Sequence, residues 1–258
     1  MFWDRVAWVY DVFANGINRR ANQAMCAAVA AHIGPEDEAL ECACGTGLLT
    51  GVIAARCRAL TATDFSEKML AQAERKYANC RNVRFAQADI TKLDYPDGRF
   101  DAVVAANVIH LLDEPLQALR ELDRVCRPGG RLIIPTYINR TDKGTTNRVS
   151  GAIGRAGADF KREFTLESYQ AFFAAAGYTD ARYTLCEGRI PCAVSRPRTP
   201  RSAPQKNRIS GAPERRWSVF RVVFPPENIR LFQIPLPRPQ AACGWADAGD
   251  RPFRICRI

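Results

Sequence analysis

The order of apolar runs and helical stretches predicts an α/β domain, doubly wound around a mainly parallel sheet with helices on both faces. Three observations carry this. Short apolar runs alternate with amphipathic stretches of about 10–15 residues. One run, Phe100 to Asn107, holds a single charge over eight residues, as a strand buried on both faces does. And the polar residues that bear chemistry fall just after the apolar runs, at the carboxyl ends of the strands, where ligands of such sheets bind.

The elements follow in order. A helical stretch, Trp3 to Phe13, precedes an alanine-rich one, Asn18 to His32, closed by Gly34-Pro35. Ala39 to Ala43 is the first strand, Cys44-Gly45-Thr46-Gly47 a tight turn, and Leu48 to Arg56 a helix. The pattern repeats with strand Leu60 to Thr63, turn Asp64-Phe65-Ser66, helix Glu67 to Tyr77 and strand Val83 to Gln87. Phe100 to Asn107 is the fourth strand, Glu114 to Cys126 a helix, Pro128-Gly129-Gly130 a turn and Arg131 to Tyr137 the fifth strand, with Pro135 expected to mark its end. Helix Thr165 to Ala176 and strands Thr179 to Cys186 and Arg189 to Val194 complete seven strands, the last two joined as a hairpin across Glu187-Gly188. Consecutive strand–helix–strand units imply right-handed crossovers.

Charge divides the chain. The net charge is +10, of which +9 lies in residues 196–258 and +1 in residues 1–195. The last 63 residues also carry 10 of the 16 prolines. Residues 1–195 therefore read as one near-neutral domain, with residues 1–35 as N-terminal helices, and residues 196–258 as a basic, Pro- and Arg-rich tail without periodic structure. The seventh strand is expected to break off at Ser195-Arg196-Pro197-Arg198. Two readings stand for the tail: a basic extension contacting nucleic acid or an anionic membrane, or the product of a shifted reading frame, which the abrupt change of composition favours. The body gives no electrostatic signal for nucleic acid.

Ten cysteines would suit a disulfide scaffold, but Met1-Phe2-Trp3-Asp4-Arg5 lacks the features of a secretory signal. Reduced thiols and a cytoplasmic setting are expected. The longest uncharged run, Ala21 to Pro35, is too short and too polar for a membrane span, so no stable membrane insertion is expected. Cys42 and Cys44 lack a second Cys/His pair at zinc spacing and read as small buried residues, and no metal is expected.

The candidate site lies at three strand ends. Glu41-Cys42-Ala43-Cys44-Gly45-Thr46-Gly47 supplies a turn whose backbone a ligand can approach closely. A dinucleotide fingerprint would place a glycine or alanine near residue 50, where Thr50 stands, and this counts against an NAD-dependent oxidoreductase. Asp64 ends the second strand 17 residues after Gly47, placed to accept both hydroxyls of a ribose, and Asp89 ends the third, placed to accept an adenine amine. Three acids suit a nucleoside carrying an ammonium group.

The sequence resembles class I S-adenosylmethionine-dependent methyltransferases of the Rossmann-like fold, and among them the small ubiquinone/menaquinone-type C-methyltransferases. The resemblance covers about residues 1–195 and rests on Leu40-Glu41-Cys42-Ala43-Cys44-Gly45-Thr46-Gly47, Thr63-Asp64-Phe65-Ser66-Glu67-Lys68-Met69-Leu70, Ala88-Asp89-Ile90, Arg99-Phe100-Asp101-Ala102-Val103-Val104 and Leu122-Asp123-Arg124-Val125-Cys126-Arg127-Pro128-Gly129-Gly130-Arg131-Leu132. It implies a turn of Ala43, Cys44, Gly45, Thr46 and Gly47 around the methionine moiety of the cofactor, with Glu41 reaching its amino end directly or through water. It further implies Asp64 on the ribose, Phe65 and Met69 flanking the adenine, Ala88, Asp89 and Ile90 along its edge, and Asn107 lining the methyl-donor pocket. Ala43 stands where most members have glycine, which places strain on the local geometry.

The implied reaction is transfer of a methyl group from S-adenosylmethionine to a small-molecule acceptor by in-line displacement. No metal is required, and alignment supplies much of the acceleration. His110 is the candidate base where the acceptor must lose a proton; a histidine that lines the pocket or packs in its loop is the other reading. Tyr10, with Asp11, is a second catalytic candidate on an N-terminal helix used as a lid. An ordinary amphipathic helix gives the same pattern. Acceptor specificity is expected between Ile138 and Phe164. An RNA methyltransferase and a non-catalytic binding protein with a basic tail are the rivals.

Overall fold

The computed structural model describes residues 18–139, 161–188 and 190–197. Its centre is a seven-stranded sheet in the order β3-β2-β1-β4-β5-β7-β6. The strands are β1 (Glu38–Cys42), β2 (Ala59–Asp64), β3 (Val83–Gln87), β4 (Phe100–Ala105), β5 (Cys126–Tyr137), β6 (Arg182–Cys186) and β7 (Cys192–Arg196). The first five run parallel, and β7 is antiparallel to both β5 and β6. Strand order reverses between β1 and β4, so the carboxyl ends of β1 and β4 flank the switch point at which open sheets bind ligands.

Among the described residues five helices pack on the sheet: α1 (Arg19–Ala30), α2 (Thr50–Ala54), α3 (Glu67–Lys76), α4 (Pro115–Val125) and α5 (Leu166–Ala175). Three of the starts have a clear local cause. The Ser66 hydroxyl caps α3 by accepting from the Met69 N–H, with Glu67 in the first turn and Arg75 and Lys76 in the last, complementing the helix dipole. Pro115 opens α4, where its missing N–H leaves nothing unpaired. Thr165 and Ser168 form a reciprocal capping box on α5.

The period-two alternation of the strands divides the core in two. Ala102, Val104 and Ile133 face α1, α2 and α3, against Met25, Val29, Ile53, Leu70 and Ala73. Val103, Leu132 and Ile134 face α4 and α5, against Ala118, Leu119, Leu122, Tyr169 and Phe173. No helix among the described residues is long and apolar enough to cross a membrane.

Four sequence expectations need correction. The Pro128-Gly129-Gly130 turn lies inside β5, which starts at Cys126. Phe100 pairs with Cys126 and Ala102 with Arg131, so the extra residues form a bulge and the ladder resumes beyond it. Pro135 does not end β5. The β4 ladder stops at Ile133, and beyond it Pro135 lies opposite Val194 in the β7 pairing while its carbonyl accepts the Asn107 N–H at 2.8 Å. The last strand does not break at Ser195: β7 continues through Arg196, and Ser195 is fully buried opposite Ile134. The helix expected from Leu48 to Arg56 shrinks to Thr50–Ala54, because the chain from Gly45 to Leu49 is spent on the turn. Residues 198–258, and with them both readings of the tail, lie outside the described residues.

Candidate functional site

The glycine turn is a strained piece of backbone held from several sides. Ala43 has φ +54°, Gly45 +57° and Gly47 +87°. For alanine the left-handed region costs about 1–2 kcal/mol, so the departure noted in the sequence is a real local cost. The Gly47 N–H closes the turn on the Cys44 carbonyl at 2.9 Å, and the Cys44 N–H donates to the Thr63 carbonyl of β2, also at 2.9 Å.

Asp64 ties the ends of β1 and β2 together. Its Oδ2 accepts the Gly45 N–H and its Oδ1 the Ser66 N–H, both at 2.8 Å. Beside it the Phe65 ring is 53% exposed, an unusual state for so large an apolar side chain, while Met69 is buried beneath on α3. The Gln87 side chain fixes the Phe65 carbonyl at 3.0 Å. Asp89 is exposed, and its Oδ1 accepts from the Thr91 N–H and hydroxyl at 2.8 and 2.7 Å. The neighbouring Ala88 N–H donates to the Asp64 carbonyl at 3.1 Å, and Ile90 is buried in the core. Strand order alone thus brings the Glu41, Asp64 and Asp89 positions to one edge of the sheet.

Glu41 differs from the other two acids. It is 2% exposed and accepts the Thr50 hydroxyl at 2.7 Å. Burial pushes its carboxyl up to about 8; the Thr50 bond opposes the rise and the nearby Asp64 charge adds to it. Thr50, which counted against a dinucleotide site, is itself fully buried as this acid's partner. Thr46 is also buried. Cys42 and Cys44 are buried thiols raised by desolvation, Cys42 to about 12. Among the described residues no group of three His, Cys, Asp or Glu side chains is arranged to hold a metal.

On the β4 side, Asn107 takes φ +53° and bridges to β5: its N–H donates to Pro135 and its Oδ1 accepts the Tyr137 N–H at 3.1 Å. Asn107 thus shapes the floor between two strand ends. His110 lies on a 3₁₀ turn (Ile109–Leu111), 7% exposed, with burial lowering its imidazole to about 4. A base so weak is poorly matched to proton abstraction near neutral pH. Tyr10 and Asp11, and the stretch from 140 to 160 within the expected specificity region, lie outside the described residues.

An open sheet with a glycine turn and strand-end acids at its switch point is the arrangement at which α/β sheets bind ligands, and comparison with known proteins narrows the class. Residues 40–134 match the model of the methyltransferase domain family. Phosphatidylethanolamine N-methyltransferase of Cereibacter sphaeroides is 37% identical over 132 residues, 49% of this chain and 63% of that protein. Demethylmenaquinone methyltransferase of Clavibacter sepedonicus is 41% identical over 95 residues, 37% of this chain and 39% of that protein. The match thus spans less than two thirds of either relative. Among solved structures, an S-adenosylmethionine-dependent methyltransferase of Thermotoga maritima superposes with a TM-score of 0.60 at 20% identity, over 77% of this chain and 98% of the other, which shows a shared fold. Residues 40–134 are thus similar to a methyltransferase domain, and the chain shares the fold of a solved S-adenosylmethionine-dependent methyltransferase. The cofactor of that class is S-adenosylmethionine.

Proposed function

We propose that this protein transfers the methyl group of S-adenosylmethionine to a small-molecule acceptor. The observation that carries the reading is the juxtaposition of Asp64, bonded to the glycine turn, with the exposed ring of Phe65. Together they offer a carboxylate for vicinal hydroxyls and a flat apolar face for a base, beside a turn that is open at Gly45, where a chain can lie close to the backbone.

The cofactor supplies a methyl group on a sulfonium, whose positive charge falls as the methyl leaves. The chain's own residues bind and align it. Asp64 holds the ribose, Phe65 and Met69 flank the adenine, and Ala88, Asp89 and Ile90 border its edge. Ala43, Cys44, Gly45, Thr46 and Gly47 receive the methionine portion, with Glu41 behind them. Asn107 fixes the spacing of the β4 and β5 ends, between which the acceptor approaches. Alignment of this kind is worth up to about 7–11 kcal/mol when reacting atoms are held at near-attack distance. His110, neutral and buried, serves as a wall of that pocket, so acceptors that need no strong base are favoured.

Two relatives act, by their names, on an amine-bearing lipid and on a menaquinone precursor, which sets the acceptor screen. Incubation of the full chain with methyl-labelled S-adenosylmethionine and separate panels of quinols, small phenols and amines should give label transfer and S-adenosylhomocysteine with one class. Cofactor binding without transfer to any panel would leave a binding protein in place of an enzyme.

A further inference from the structure

The geometry points to Tyr77, at the C-terminal cap of α3, as a positioning residue that fixes the glycine turn for the methionine end of the cofactor. The inference rests on the reading of this site as a cofactor site. Nothing in the strand-end motifs includes Tyr77, which lies 30 residues beyond the turn and one helix away.

The Tyr77 hydroxyl donates to the Gly47 carbonyl at 2.7 Å. Its ring fills the space that two glycines leave open. A methyl group on Gly47 would lie 2.5 Å from Cε2, and one on Gly51 would lie 2.7 Å from Cε1 and 3.0 Å from the hydroxyl. Real side chains do not approach so closely, so the ring requires both glycines, and the turn requires Gly47 as well, at φ +87°. Lys76 lies over the same ring, 5.4 Å from its centre. Desolvation raises the phenol well above its ordinary value, which keeps it a hydrogen-bond donor.

The contact closes a circuit. The turn is held at Gly45 by Asp64, Asp64 accepts from Ser66, Ser66 caps the start of α3, and the end of α3 returns through Tyr77 to Gly47. Helix α3 is therefore a strut. It begins beside the residues for the nucleoside and ends on the carbonyl that shapes the turn for the amino-acid end, setting the distance between the two halves of the ligand. Loss of the Tyr77 bond frees Gly47 and leaves Asp64 and Phe65 in place, so it weakens only ligands that reach the turn.

The test is calorimetric titration of the full chain with S-adenosylhomocysteine and, separately, with adenosine. Tyr77→Phe keeps the ring and removes the hydroxyl, and with it the bond to the Gly47 carbonyl and the contact with the Gly51 backbone. It should raise the Kd of S-adenosylhomocysteine about three- to tenfold and leave that of adenosine within about twofold. Equal weakening of both ligands, or of neither, overturns the assignment. Gly51→Ala should weaken S-adenosylhomocysteine by about tenfold alone and by nothing further in a Tyr77→Ala background; additive effects would also overturn it. A folded wild-type chain that binds neither ligand sinks the cofactor site itself, which a silent Tyr77→Phe would not do.

Discussion

The two halves of the sheet are built by different means. On the side of β1, β2 and β3 the three acids stand within two residues of a strand end, and each takes a bond short in sequence: Asp64 to Ser66, Glu41 to Thr50, Asp89 to Thr91, with Asp64 also reaching Gly45 across 19 residues. On the side of β5, β6 and β7 order comes from afar. Tyr169 donates to the Ile134 carbonyl at 2.6 Å across 35 residues, and Asn18 exchanges two bonds with Ile190 across 172. The first half is the proposed binding edge, made largely from turns at the strand ends; the second is a packed support made from an aromatic cluster of Phe164, Tyr169, Phe172 and Phe173. Changes in the first should alter affinity, and changes in the second should alter stability.

The largest expected effect breaks the support. Phe173 is fully buried beside Tyr169, and Phe173→Ala should cost about 3–5 kcal/mol of stability, read by denaturant unfolding, while the surviving folded fraction keeps its cofactor Kd. A large change in Kd with an unmoved midpoint would erase the contrast. Asp64→Ala probes the other half. Loss of charge-assisted bonds to both the turn and the ribose should weaken S-adenosylmethionine on the order of 100-fold, with a smaller loss of stability, in a titration run alongside the unfolding series.

The third effect depends on pH. The folded Glu41 carboxyl is raised from 4.5 to about 8, so the folded state holds its proton more tightly than the unfolded chain. Its contribution to stability is complete below about pH 4.5 and is lost as pH rises through that window toward 8. Glu41→Gln should remove this decline. Melting temperatures of the ligand-free variant should then fall less between pH 5 and 8 than those of the wild type, and parallel curves would show that the acid is already ionised. The smallest effect is Ala43→Gly. It relieves the left-handed alanine but loosens the unfolded chain, for a net gain of at most about 1 kcal/mol. A loss of stability on thermal unfolding would show that Ala43 is not strained.

The same contrast explains what was legible in the sequence. Asp64, Phe65, Gly45 and Gly47 follow directly on apolar runs, so their place at one edge of the sheet needed only strand period and right-handed crossover. Strand β5 misled because its bulge takes in Pro128-Gly129-Gly130, residues that signal a turn where a strand can also accommodate them. Pro135 misled because the ladder on its β4 side has already ended. Thr50 as the partner of Glu41 was within reach, nine residues apart at one strand–helix corner, once a buried acid was seen to need a donor. Tyr77 was not, since only the path of α3 sets it against Gly47. Nor did the sequence show that Glu41 is enclosed while Asp89 is exposed, a difference made by the helices above them.

On the proposed function, the carboxyl edge of β1 and β2 is an S-adenosylmethionine site organised by Asp64. Its most direct test is a calorimetric titration of the full chain with S-adenosylmethionine, with NADH as the control ligand and Asp64→Ala in parallel. Saturable binding of S-adenosylmethionine alone, lost or weakened on the order of 100-fold in the variant, is the predicted result. Absence of binding in a folded sample, or equal affinity in wild type and Asp64→Ala, would contradict it.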